Sequence, residues 1–176
     1  MKNKINFIFD TETNGFANCS VLSVSYIICQ NDNILHKDTR YYFSQEPYNY
    51  HAFKVHGLDK ETIEGKRDNC NYPIYFNDDN DWLIDIMNEY DVNNIVAHNL
   101  NFDIKFLPQE IKNKIENQDY STFCTMQKNR HITLNNKAPK LIEACELLNI
   151  EFNENEAHSS DYDTLKCFEV FVKTIN

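Results

Sequence analysis

The sequence predicts an α/β fold in which helices cover both faces of a mixed β-sheet. Two patterns point there. The first third of the chain holds three β-rich apolar runs separated by short turns, and the remainder alternates short apolar strands with amphipathic helical stretches. Composition agrees, since 176 residues with 41% hydrophobic and 13% aromatic content can build one core. Three glycines and four prolines leave no linker or low-complexity segment, so residues 1–176 are expected to form a single domain.

The segments support this in order. "KINFIFD" (4–10) is apolar and β-forming, "VLSVSYIICQ" (21–30) alternates and then turns wholly apolar, and "ILHKDTRYYFS" (34–44) mixes β-formers with polar residues. The turn-like stretches "TNGFANCS" and "NDN" separate them, which predicts a meander. "YNYHAFKVHGLDKETIEG" reads as short helical pieces broken by Gly57 and Gly65. "NDDNDWLIDIMNEYD" follows as a surface helix with an acidic, well-capped start and Trp82, Ile86 and Met87 or Tyr90 on one face. "NNIVAHN" is a short buried strand, "FDIKFLPQEIKNKI" is helical up to or kinked at Pro108, and "STFCTM" is a further strand. Two amphipathic helices close the chain, "APKLIEACELLNI" with Leu141, Ala144, Cys145 and Leu148 on one face, and "SSDYDTLKCFEVFVKTI".

Charge and cysteine usage narrow the function. A net charge of −10 opposes a broad grip on duplex phosphates, although divalent cations bound in an acidic site would make that site locally positive. The six cysteines lack a C-x-x-C pair and most lie in apolar runs, so they read as reduced core residues. No apolar run reaches membrane-spanning length, and the opening "MKNKINFIFDTE" lacks a signal peptide; a cytoplasmic protein is expected.

Chemistry concentrates in three acidic places. Asp10 and Glu12 are two apart at the end of the first apolar run, so in extended backbone they project from one face about 6.6 Å apart. Such a pair can reach one cation or straddle two, as two-metal phosphodiester chemistry requires. Asp103 follows the buried strand "IVAHN" on the first turn of a helix. His158 precedes a helix whose first turn carries Asp161 and Asp163. Singly, each acid also fits an ordinary turn or helix start.

In this order and with these neighbours, "FDTETNG", "AHNLNFD" and "HSSDYD" resemble the three motifs of the DnaQ-like DEDDh family of 3′–5′ exonucleases, which includes the epsilon proofreading subunit of bacterial DNA polymerase III, RNase T and oligoribonuclease. Asp10 and Glu12 match the first motif, Asp103 the second, and His158 with Asp163 the third. Asp161 then reads as a helix-start residue. "AFKVHGLDKETIEG" resembles a further family segment, and the likeness spans nearly the whole chain.

The resemblance implies an RNase H-like fold: a five-stranded mixed sheet flanked by helices. It implies hydrolysis of the 3′ terminal phosphodiester of single-stranded nucleic acid with a free 3′ end, DNA favoured, releasing nucleoside 5′-monophosphates. Asp10, Glu12, Asp103 and Asp163 would hold two divalent cations, Mg²⁺ or Mn²⁺, and His158 would act as base. Thr11, Phe16, His56, Asn99 and Phe102 fall where the family contacts the terminal nucleotides. An RNase T or oligoribonuclease-like enzyme acting on RNA stays open, as does a silent nucleic-acid-binding or adaptor domain. Homodimer formation is compatible with the likeness. The chain ends soon after its last helix, so a polymerase tether is not expected.

Overall fold

The computed structural model describes residues 4–16 and 18–176; the first three residues and Ala17, which falls in the turn expected after the first strand, lie outside the described residues. In chain order the elements are β1 (Ile5–Thr13), β2 (Val21–Gln30), β3 (Asn33–Tyr41), α1 (Tyr50–His56), α2 (Lys60–Lys66), α3 (Asn80–Glu89), β4 (Asn94–Ala97), α4 (Leu100–Asp103), α5 (Gln109–Glu116), β5 (Ser121–Cys124), α6 (Thr125–Lys128), α7 (Leu141–Leu147) and α8 (Ser160–Ile175). The sheet order is β3-β2-β1-β4-β5, with β1–β3 an antiparallel meander and β4 and β5 parallel to β1. The expected five-stranded mixed sheet is therefore present. Among the described residues no helix is long and apolar enough to cross a membrane.

Alternation along the strands divides the core. Phe7 and Phe9 of β1, Tyr26 and Ile28 of β2 and Ile95 of β4 pack with Leu83 and Met87 of α3 and Ile111 of α5. On the opposite face Ile8, Ile27, Val96 and Phe123 pack with Cys167, Phe168 and Phe171 of α8, and α7 lies on α8 through Ala144, Cys145 and Val170. Helices thus cover both faces. Each fully buried large side chain contributes roughly 1.5–3 kcal/mol, so these layers hold the central strand rigid.

Several local expectations need correction. Gly65 lies inside α2, whereas Gly57, at φ +70°, ends α1 with its N–H on the Phe53 carbonyl. At Pro108 the first of the two expectations holds and the kink does not: helical turns run from α4 to Phe106 and stop before the proline, and α5 starts anew at Gln109. The start of α3 is not side-chain capped: the Asp79 carboxylate instead accepts hydrogen bonds from Arg40 Nη1 at 2.7 Å and the Tyr42 hydroxyl at 2.8 Å. Arg40 also stacks on the Trp82 ring, 3.9 Å from its centroid, so a buried ion pair outcompetes the local cap. Three cysteines, Cys29, Cys145 and Cys167, are buried; Cys19 and Cys124 are half-buried and Cys70 is exposed, all as free thiols.

Candidate active site

On the α8 face of the sheet, β1 changes from core to polar within four residues. Ile8 pairs with Ile27, then Asp10 with Ser25 and Glu12 with Ser23, so the acids face small hydroxyl side chains rather than bulk. β4 accompanies β1 only as far as the Ile8–Val96 pair. Beyond it that edge of β1 has no strand neighbour among the described residues, and the chain turns into α4 instead. There Asp103, 3% exposed, takes the place of a strand: its Oδ1 accepts from the Thr11 backbone N–H at 3.2 Å and the Thr11 hydroxyl at 2.8 Å. Thr11 is thereby a buried brace for Asp103.

The third motif comes from the start of α8. One ligand atom from each of Asp10, Glu12 and Asp163 lies within 4.8 Å of the others, a cluster able to hold a metal ion. Asp163 Oδ2 accepts the His158 backbone N–H at 3.2 Å, whereas its buried Oδ1 has no hydrogen-bond partner among the described residues. A buried carboxylate oxygen left unpaired is costly, and a cation would satisfy it. His158 sits at φ +64°, a left-handed turn that histidine tolerates better than most residues, and it lines an open 760 Å³ cleft with Glu12, Tyr41 and His56.

Electrostatics favour the same reading. Burial, then the charges of Asp103, Glu12 and Asp163, raise the Asp10 carboxyl well above its usual range. Burial, then Asp163 and Asp103, pushes Glu12 up to about 8. Burial raises Asp103 to about 7 against the opposing Thr11 hydrogen bonds, and Asp163 to about 6 against the nearby His158. The donor set is all carboxylate oxygen, which suits hard cations such as Mg²⁺ or Mn²⁺.

These shifts set a stability prediction. Carboxyls whose folded values rise above the unfolded 3.8 or 4.5 stabilise the fold fully at low pH and lose that contribution as pH rises through about 8. A bound cation reverses the loss, because it favours the ionised form. The Mn²⁺-induced gain in Tm is therefore expected to be larger at pH 8 than at pH 5; equal gains by differential scanning fluorimetry would contradict the cluster's charge coupling.

The remaining predicted residues lie on the loop after β1, at the end of α1 and at α4. Phe16 is 85% exposed on the loop after β1, Asn99 is exposed before α4, and Phe102 is half-buried with its ring 5.2 Å from that of Phe106. His56 has both ring nitrogens engaged, Nε2 with the Thr13 carbonyl at 3.2 Å and Nδ1 with the Leu58 N–H at 3.0 Å. It therefore braces the end of β1, and burial lowers its affinity for a proton. Asn14 is a second brace: its amide donates to Ser44, Glu46 and Pro47, and its oxygen accepts the Asn49 N–H. Sequence reasoning missed these bracing roles. Burial marks Thr11 and Asn14 as groups that need partners within the protein, and burial is read from the fold, not from the motif.

The chain matches the RNase T exonuclease family over residues 7–171. It is similar to Ribonuclease T of Buchnera aphidicola subsp. Schizaphis graminum, 28% identical over 96% of this chain and 82% of that protein. Among solved structures it resembles Exonuclease X in complex with 5′ overhanging duplex DNA, at TM-score 0.62 and 16% identity over 98% of this chain and 93% of that one. It also resembles E. coli Exonuclease I in complex with a dT13 oligonucleotide, at TM-score 0.70 and 14% identity over 97% of this chain and 40% of that one. These likenesses carry the RNase H-like fold. With the motif order, the sheet topology and the match across most of its length in agreement, the chain belongs to the RNase T exonuclease family of DnaQ-like nucleases.

Proposed function

We propose that this chain acts as a single-domain DEDDh-type 3′–5′ exonuclease on single-stranded nucleic acid, with DNA as the first substrate. The observation that carries this reading is the meeting of Asp10, Glu12 and Asp163 within 4.8 Å, with the Asp163 Oδ1 atom buried and unpaired. In this reading Asp10, Glu12 and Asp163 would hold the cations and Asp103 would complete the site. Divalent cations there supply Lewis acidity and offset the charge of the scissile phosphate. His158 takes the proton from the attacking water, a role supported by its place on the cleft beside Glu12. Thr11 keeps Asp103 in place, and Phe16 and Phe102 offer stacking faces for the terminal base.

The DNA reading is supported by the DNA complexes of the two similar structures. RNA is the second reading, favoured by the similarity to Ribonuclease T. One experiment tests both: purified protein is incubated with 3′- and 5′-labelled single-stranded DNA, blunt duplex and matched RNA in Mg²⁺, Mn²⁺ or EDTA. The 5′ label should show stepwise shortening and the 3′ label immediate release of a mononucleotide, both lost in EDTA. Internal cuts, or full activity in EDTA, would overturn the mechanism. Faster digestion of blunt duplex than of single strands would overturn the single-strand preference.

A further inference from the structure

A second pocket, of 440 Å³, lies between the loop after β1 and the start of α5, and Phe16 stands at it. That size falls within the range of about 300–1,000 Å³ common to small-ligand sites. Its floor is apolar, with Val21, Phe76 and Leu107 all buried. Phe106 lines it beside Lys105 and Lys112, and the Lys112 ammonium donates to the Lys105 carbonyl at 3.3 Å. Lys105 also approaches the Phe102 ring, 5.9 Å from its centroid, and Phe102 in turn packs on Phe106. Asparagine and glutamine amides supply the rest of the polar lining.

The charge of this pocket is the exception to the chain. Among the described residues none of its lining side chains is acidic, in a protein with 27 acidic and 17 basic residues. Among the described residues neither Lys105 nor Lys112 pairs with a carboxylate. The catalytic cleft, by contrast, includes Glu12, Asp38, Glu156 and Asp161. Unpaired lysines beside an aromatic ring and an apolar floor match what a single strand offers, phosphates and base faces.

We propose that this pocket is a second nucleotide subsite, in which Phe106 stacks one base and Lys105 and Lys112 hold its flanking phosphates. The proposal rests on the exonuclease reading and deepens it. In the proposed function the terminal nucleotide is the last of its strand, so any further subsite serves the 5′ side. Phe16, on the loop that follows Glu12, and Lys105, on the turn that follows Asp103, link the pocket to the acidic site. It therefore makes affinity depend on strand length beyond the reacting dinucleotide.

The test uses 5′-fluorescein oligothymidylates of two and six nucleotides, with Kd read by anisotropy in Ca²⁺ at stepped salt and intact length checked on gels. Proteins compared are the wild type, the double variant Lys105→Gln, Lys112→Gln, and the double variant Lys105→Arg, Lys112→Arg. Wild type should bind the hexamer about tenfold or more tighter than the dimer. The Gln double variant should lose most of that gain, with its log Kd against log salt slope smaller by about 1.4, or 0.7 per phosphate contact; the Arg double variant should keep both. A length gain and slope unchanged in the Gln double variant, or no length gain in wild type, would overturn the subsite. Mn²⁺-dependent hydrolysis of the hexamer is followed in parallel. Hydrolysis by wild type with unaltered binding by the Gln variant rejects the subsite alone, whereas the binding difference without any hydrolysis rejects the exonuclease reading alone.

Discussion

Asp10→Asn is expected to lower turnover by about 10³-fold or more while raising the Tm of the metal-free protein. Asparagine keeps the shape of aspartate but removes the charge of a carboxylate that sits within 4.8 Å of two others. If cation binding supplies several kcal/mol to the barrier, at about 1.4 kcal/mol per tenfold, a loss of that size follows. The stability effect has the opposite sign. Burial and three neighbouring carboxylates hold the Asp10 carboxyl far above its usual range, so its ionised form is disfavoured near neutral pH without a cation. A neutral amide removes that penalty. Single-turnover rates in Mn²⁺ and thermal melts in EDTA check the two halves. A rate within tenfold of wild type would refute the metal role, and a lower metal-free Tm would refute the claim that the cluster is strained by its own charge.

His158→Ala should cost about 10²- to 10⁴-fold in rate and leave Mn²⁺ affinity within a few fold, the range typical of a general base. The hydrogen bond from His158 to Asp163 comes from the backbone N–H, which alanine retains, and His158 lines the cleft with Glu12. The left-handed backbone at φ +64° is unfavourable for alanine, so His158→Asn is the necessary companion: asparagine tolerates that conformation and still lacks the imidazole. Both variants should lose the same factor. Calorimetric Mn²⁺ titration completes the comparison. If both variants bind metal as poorly as Asp10→Asn, the histidine is a ligand or structural prop. If only the alanine variant is slow, the backbone turn matters and the imidazole does not.

Parts of the site were legible before any fold was known because they depend on short-range spacing. Asp10 and Glu12 share a face in any extended backbone, and the place of Asp163 near a helix start follows from the run after His158. The orientations of Thr11 and His56 were not legible. Both were expected to contact substrate, yet the Thr11 hydroxyl turns to Asp103, 92 residues away, and both His56 nitrogens are used by the protein itself. Hydroxyl and imidazole groups satisfy whichever partner packing brings within reach, and no local pattern names that partner.

The amino-acid sequence by itself determined the meander, the strand–helix alternation, the two faces of the core and the order of the three acidic motifs. Each follows from periodicity or from chemistry within a few residues. Only the tertiary structure decided where β4 leaves β1, which opens the edge that Asp103 fills. It alone drew Asp79 from its helix start to Arg40, and joined Phe16 to Lys105 and Lys112 in a pocket that has no carboxylate among the described residues. Such contacts join residues about 40 to 100 positions apart. Their free energy exists only once the whole sheet is packed, so they leave no trace in local propensity.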